Sequence, residues 1–162
     1  MIQQEQIVLE PAMRNTAPCI LYASLKIKKQ NPDAVMVVAP SDHWIEDEVQ
    51  FCSNLQYAFD FCERDENLMT LGILPTFANT GYGYIEFDKL DSRPIKKVKQ
   101  FREKPDYATA RKFIQSRNFL WNAGIFVWSA KSVLKAYEEF QPVMYDHFMN
   151  GYEALNTPKE EA

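Results

Sequence analysis

Ala34-Val-Met-Val-Val-Ala-Pro-Ser-Asp-His43 decides how the chain is read. Its opening apolar run, Ala34 to Ala39, is unbroken, the pattern of a strand buried on both faces in the middle of a parallel sheet. Pro40 stops the run and Asp42 follows at once. In open α/β sheets, ligands bind just beyond the carboxyl ends of the strands. Asp42 therefore stands where such a fold does its chemistry. A carboxylate there can hold a hard cation such as Mg²⁺, which in turn binds substrate phosphates. An aspartate also caps helices and closes turns, and residues 34–43 by themselves leave both roles open.

Strands and helices alternate outward from this segment. Upstream, Ile7-Val8-Leu9 reads as a short strand. Asn15 or Thr16 can cap a helix with Pro18 in its first turn. Ala17, Ile20, Leu21, Ser24 and Ile27 then recur at helical spacing, and the helix ends before Asn31-Pro32. Downstream, Glu46-Asp47-Glu48 suits a helix start, where the macrodipole favours negative charge. The inner face of that helix reads Cys52, Leu55, Phe59 and Cys62. A second apolar strand covers 68–74, and a loop from Pro75 to Gly81 leads to a strand over 82–87. Residues 88–94 form a turn and 95–101 a further strand. Asp106 caps a helix to about Ile114. Gly124 to Trp128 is a strand, and Ser129 caps a helix carrying Val133, Tyr137 and Phe140. This order predicts one α/β domain with a mixed, mostly parallel sheet flanked by helices.

Composition narrows the function. The 162 residues carry a net charge of −4, which disfavours a nucleic-acid-binding surface. Lys96-Lys97-Val98-Lys99 alternates within a strand-like segment and reads as a solvated face. No apolar run is long enough to span a membrane, and the start has no secretory pattern. The three cysteines, Cys19, Cys52 and Cys62, lack metal-ligand spacing and read as buried free thiols in a reducing cytoplasm. His43 and His147 are too far apart for a zinc site. The five glycines form no phosphate loop. No Ser/His/Asp arrangement, nucleophilic cysteine or close carboxylate pair occurs.

The remaining polar clusters all flank strands. Glu10-Pro-Ala-Met-Arg-Asn-Thr-Ala-Pro18 joins the first strand to the first helix, where Asn15 and Thr16 could read a nucleobase edge or simply cap the helix. Thr80-Gly81-Tyr82-Gly83-Tyr84 sets two glycines around a tyrosine, fit for close backbone approach to a ligand or for a tight turn. In Glu103-Lys104-Pro105, Lys104 can neutralise a phosphate and Glu103 can accept from sugar hydroxyls; a surface ion pair has the same composition. Trp121-Asn122-Ala123-Gly124 pairs an aromatic ring with an amide able to bridge hydroxyls, or anchors a core and closes a turn.

Taken in order, these segments resemble the sugar-nucleotide pyrophosphorylases. The resemblance rests on Glu10 to Pro18, Pro40-Ser-Asp-His43, Gly81-Tyr-Gly-Tyr-Ile85, Phe101-Arg-Glu-Lys-Pro105 and Trp121-Asn-Ala-Gly-Ile-Phe126. The Arg-Asn-Thr-Ala-Pro and Ser-Asp-His forms point to the branch that handles mannose and guanine. It implies a Rossmann-like nucleotidyltransferase fold. It also implies that GTP and mannose 1-phosphate are converted to GDP-mannose and pyrophosphate, with Mg²⁺ as cofactor. On this resemblance, Asp42 binds the metal, and Asp42 and Lys104 are the catalytic residues. Glu10, Asn15 and Thr16 lie against the nucleotide. Gly81, Tyr82, Gly83, Glu103, Lys104 and Asn122 line the sugar-phosphate pocket. Ala123 stands where the family often has Ser. The family's Gly-rich segment with its catalytic Arg and Lys, and a second metal-binding Asp, have no counterpart here. The expectation is that residues 1–162 are the central portion of one nucleotidyltransferase domain, inactive alone. Another base or sugar, a non-catalytic sugar-nucleotide-binding module, and a homo-oligomer all stay compatible with the sequence.

Overall fold

The computed structural model describes residues 7–160. The polar opening Gln3-Gln4-Glu5-Gln6 and the last two residues of the polar tail lie outside the described residues. The elements run α1 (Thr16–Gln30), β1 (Val35–Val38), α2 (Glu48–Arg64), β2 (Leu68–Ile73), β3 (Tyr84–Phe87), β4 (Val98–Arg102), α3 (Tyr107–Ser116), β5 (Phe119–Ser129), α4 (Ala130–Phe140) and α5 (Pro142–Met149). A single 3₁₀ turn, Tyr152–Ala154, follows. The strand order is β1-β5-β3-β4, with β2 also paired to β5. Two compact units share the chain: Met1–Val38, Asp42–Met69 and Val127–Ala162 form the first, and Ala39–Ser41 with Thr70–Phe126 the second.

In the first unit, α1 turns Leu21, Ser24 and Leu25 inward, one helical turn apart. Burying each leucine contributes about 2 kcal/mol. Ser24 satisfies its hydroxyl by donating to the Ile20 carbonyl at 2.6 Å, and it also lies 3.5 Å from Met36 Sδ of β1. Lys28 and Lys29 close α1, where the dipole favours cations, and the chain turns extended at Asn31 before Pro32. α4 packs on α1, and Tyr137 ties the pair by donating to the Ala17 carbonyl at 2.8 Å. A separate cluster joins Ala58 and Cys62 of α2 to Val127, with Val35, Leu55, Phe59 and Met69 around it. The segment after α5 is strapped to α1: Glu160 accepts from Lys26 at 2.6 Å and from the Tyr22 hydroxyl, and Lys29 donates to the Tyr152 and Glu153 carbonyls.

The second unit is built on β3. Tyr84, Ile85 and Glu86 face Arg102, Phe101 and Gln100 of β4, and on the other edge Trp121, Leu120 and Phe119 of β5. Both pairings are antiparallel. Asp106 starts α3 by accepting from the Thr109 amide at 2.9 Å. The helix then lays Ala110 and Phe113 on Tyr84, Phe119 and Trp121, with Phe113 stacked on Phe119 at 3.9 Å.

The α/β class and the alternation of elements hold. The weighting toward parallel strands does not hold for β3, β4 and β5. Residues 88–97 are too few to carry a crossover helix, so β4 can only return antiparallel. Ile7, Val8 and Leu9 form no strand; all three are exposed, with Leu9 at 80%. Three apolar residues have no regular structure without a partner strand to take their backbone groups. β1 is not buried on both faces, since Val37 is 40% exposed. Cys52 lies on the outer side of α2, so the inner face is Ala58 and Cys62 flanked by Leu55 and Phe59. Among the described residues no helix is long and apolar enough to cross a membrane.

Candidate functional site

The antiparallel register brings together residues far apart in sequence. Tyr84 faces both Arg102 and Trp121. One step further along each strand lie Gly83, Glu103 and Asn122. The Asn122 amide donates to the Gly83 carbonyl at 2.8 Å. A methyl group on Gly83 would sit 3.1 Å from Glu103 Oε2, 3.5 Å from Asn122 Cβ and 3.8 Å from its Nδ2. Glycine is thus what lets the carboxylate and the amide close over one backbone position. The Asn122 Oδ1 accepts from the Gly124 amide at 3.0 Å, which leaves the NH₂ group as the side chain's donor. Gly124 has φ of 67°, a left-handed conformation suited to glycine.

Lys104 follows Glu103 at φ 36°, uncommon for a side-chain-bearing residue, and Pro105 comes next. Its ammonium lies 3.8 Å from Glu103 Oε1, and both side chains are exposed. Such a pair adds little to stability, so both groups are available to a ligand. The Gly81 amide donates to Asn79 Oδ1 at 2.7 Å, and the Tyr82 ring rests edge-on against Trp121. All six residues expected to line a sugar-phosphate pocket, Gly81, Tyr82, Gly83, Glu103, Lys104 and Asn122, belong to the second unit.

The residues expected to lie against a nucleotide, Glu10, Asn15 and Thr16, belong to the first unit. Asn15 occupies the N-cap of α1 at φ 69°, yet its side chain makes no capping hydrogen bond. The cap reading therefore fails in its side-chain part, and the amide is left for other partners. Thr16 opens the helix and is exposed. Burial first, then the neighbouring Glu10 carboxylate, pushes the Cys19 thiol up. Glu10 also borders a cavity of about 700 Å³ together with Arg14, Tyr22, His147 and Phe148. Asn15 and Thr16 do not line it. The α5 wall of this cavity was not legible in the sequence, because residues 142–149 show no one-sided apolar period.

Asp42 is exposed just past β1 and has no hydrogen bond or ion pair among the described residues. No cluster of three or more His, Cys, Asp or Glu side chains able to hold a metal occurs among those residues. A lone, unengaged carboxylate leaves most of a hard cation's shell to water and substrate phosphates, which is compatible with the way Mg²⁺ is held.

The family model described as Nucleotidyl transferase matches residues 2–159. A mannose-1-phosphate guanylyltransferase of Escherichia coli is 38% identical over 142 residues, 84% of this chain and 30% of the relative. The xanthan biosynthesis protein XanB of Xanthomonas campestris pv. campestris is 38% identical over 152 residues, 94% of this chain and 32% of the relative. Among solved structures, one described as a mannose-1-phosphate geranyltransferase from Thermus thermophilus aligns with a TM-score of 0.79 at 26% identity, over 95% of this chain and 44% of that one. One described as a mannose-6-phosphate isomerase from Helicobacter pylori aligns at 0.76 and 31%, over 90% of this chain and 53% of that one. The chain spans about a third of the length of the curated relatives it matches.

Proposed function

Because the chain belongs to the Nucleotidyl transferase family, we propose that the whole protein transfers the guanylyl group of GTP to mannose 1-phosphate. The products are GDP-mannose and pyrophosphate. The observation that carries this reading is the closure of Glu103 and Asn122 over Gly83, beside the exposed Lys104. An acceptor, a donor and a cation at one strand edge match the hydroxyls and phosphate of a sugar phosphate. The guanylyltransferase named among the relatives supports the choice of base and sugar.

A phosphate oxygen of mannose 1-phosphate attacks the α-phosphorus of GTP, the new P–O bond forms, and the bond to the β-phosphate breaks to release pyrophosphate. Such transfers depend on positioning and charge neutralisation and need no side-chain nucleophile. Lys104 neutralises the sugar phosphate. Glu103 and Asn122 hold sugar hydroxyls, and the Gly81–Gly83 backbone, with Tyr82, gives the sugar phosphate a close surface. Glu10, Asn15 and Thr16 face the guanine nucleotide. Asp42 would hold Mg²⁺, and the ion when bound would supply charge neutralisation. Three free cysteines fit a cytoplasmic protein.

Pyrophosphate release from GTP and mannose 1-phosphate by the whole protein tests the reading, with ATP, UTP and glucose 1-phosphate as competitors. Preference for the GTP–mannose pair is expected. No release with any pair, or equal release with all, overturns it. Asp42→Asn should lower turnover by about 10²-fold or more, since one transition-state charge contact is lost. Its unfolding midpoint should not move, because Asp42 is exposed and unpaired. Full turnover at moderate Mg²⁺ in that variant removes Asp42 from the site.

A further inference from the structure

Trp121 is only 8% exposed, and two rings of the same unit meet it edge-on: Phe77 at 5.1 Å and Tyr82 at 5.2 Å between centroids. Its indole N–H is buried with no hydrogen-bond partner among the described residues. A buried donor without an acceptor is costly, and a phenylalanine would fill an apolar core without that cost. What the larger ring adds is reach, because it contacts Phe77 and Tyr82 at once. Those two side chains are themselves about half open to solvent, at 56% and 47%. Their packing against Trp121 serves the surface rather than the core.

Tyr82 stands between Gly81 and Gly83, ahead of the start of β3 at Tyr84. Strand pairing does not fix it. The turn is held at two places instead: the Asn122 amide bonds the Gly83 carbonyl, and the ring of the preceding residue, Trp121, packs on Tyr82. One dipeptide of β5 thus holds both the backbone and the side chain of the glycine turn. We propose that Trp121 is a positioning residue that fixes Tyr82, and through it the Gly81–Gly83 turn, against Asn122, so setting affinity for the sugar phosphate. The proposal rests on the guanylyltransferase reading above.

The test uses the whole protein with Trp121→Phe, Phe77→Leu, Tyr82→Leu and the Trp121→Phe/Tyr82→Leu double variant. Each is melted and assayed for KM of mannose 1-phosphate and of GTP. Trp121→Phe should raise the sugar-phosphate KM about tenfold with GTP KM unchanged, beyond the modest drop in melting point that the smaller core ring brings. Phe77→Leu should shift the same KM by about threefold. The double variant should be no worse than Tyr82→Leu alone, since both act through one ring. An unchanged sugar-phosphate KM in Trp121→Phe overturns the proposal. So do a parallel rise of both KM values with a lower melting point, or additive effects in the double variant. A parent protein without turnover on any nucleotide and sugar-phosphate pair sinks the guanylyltransferase reading itself and the proposal with it.

Discussion

Gly83→Ala separates the site from the scaffold. The added methyl would lie 3.1 Å from Glu103 Oε2, against 3.4 Å where ordinary contact begins, so the carboxylate must withdraw by about 0.3 Å. Gly83 has no positive φ, so alanine strains nothing in the backbone. Glu103 is exposed and moves cheaply. Alanine also restricts the unfolded chain, worth about 0.4–1 kcal/mol in favour of folding. The two effects nearly cancel, and the unfolding free energy should stay within about 1 kcal/mol of the parent. The site has no such compensation. A hydrogen bond to a carboxylate is worth about 1.5–3 kcal/mol, and lengthening it should cost about 1 kcal/mol, or roughly fivefold in the KM of mannose 1-phosphate. Urea unfolding and steady-state kinetics at saturating GTP measure both quantities. Gly124→Ala supplies the contrast: its φ of 67° makes alanine strained by about 1–2 kcal/mol whatever the function. Should Gly83→Ala keep its sugar-phosphate KM while Gly124→Ala unfolds as expected, Glu103 has no part in sugar binding.

Lys104→Met keeps the alkyl stem and removes the charge. Its mannose 1-phosphate affinity should fall about tenfold or more while GTP affinity holds; equal losses for both ligands would assign Lys104 to another role. Thiol reagents at pH 8 should modify exposed Cys52 in the folded protein and spare Cys62 until unfolding, a contrast read by mass spectrometry. Burial pushes the Cys62 thiol up to about 11 from an ordinary 9.0. Its folded value exceeds its unfolded one, so its contribution is intact below pH 9 and is lost as pH rises through 11. Urea midpoints across that range should fall less steeply in Cys62→Ala than in the parent.

The parts of this fold that could be read early are those settled within a few residues. Asp106 and Ser129 cap their helices as their spacing implies, because a cap bonds the backbone only three residues on. The apolar run at β1 is equally local. Ile7 to Leu9 carried the same local signal, but a strand needs a partner, and composition does not reveal whether one exists. α5 escaped notice because Gln141 gives no side-chain cap and the apolar residues of 142–149 favour no single face. At the site, Gly83, Glu103 and Asn122 each had a bland local explanation. Only the antiparallel register joins them, and register is a long-range property. Trp121 gave no sign that its N–H would be orphaned, since partners depend on packing.

Tyr84 donates its hydroxyl to the Asn79 carbonyl at 2.8 Å and accepts from the Asn79 amide at 3.1 Å, while Asn79 Oδ1 takes the Gly81 amide. One phenol thereby meters the chain between residues 79 and 84. Inserting or deleting a residue there would break both bonds and throw the glycine turn out of step with the strands that follow it. Among the described residues, the stretch from Leu74 to Ala78 makes no such hydrogen bond to a strand, and Phe77 reaches β5 only by packing its ring on Trp121. Length variation arising in this connection, whether in natural lineages or in a designed library, should therefore accumulate before Asn79 and be purged after it.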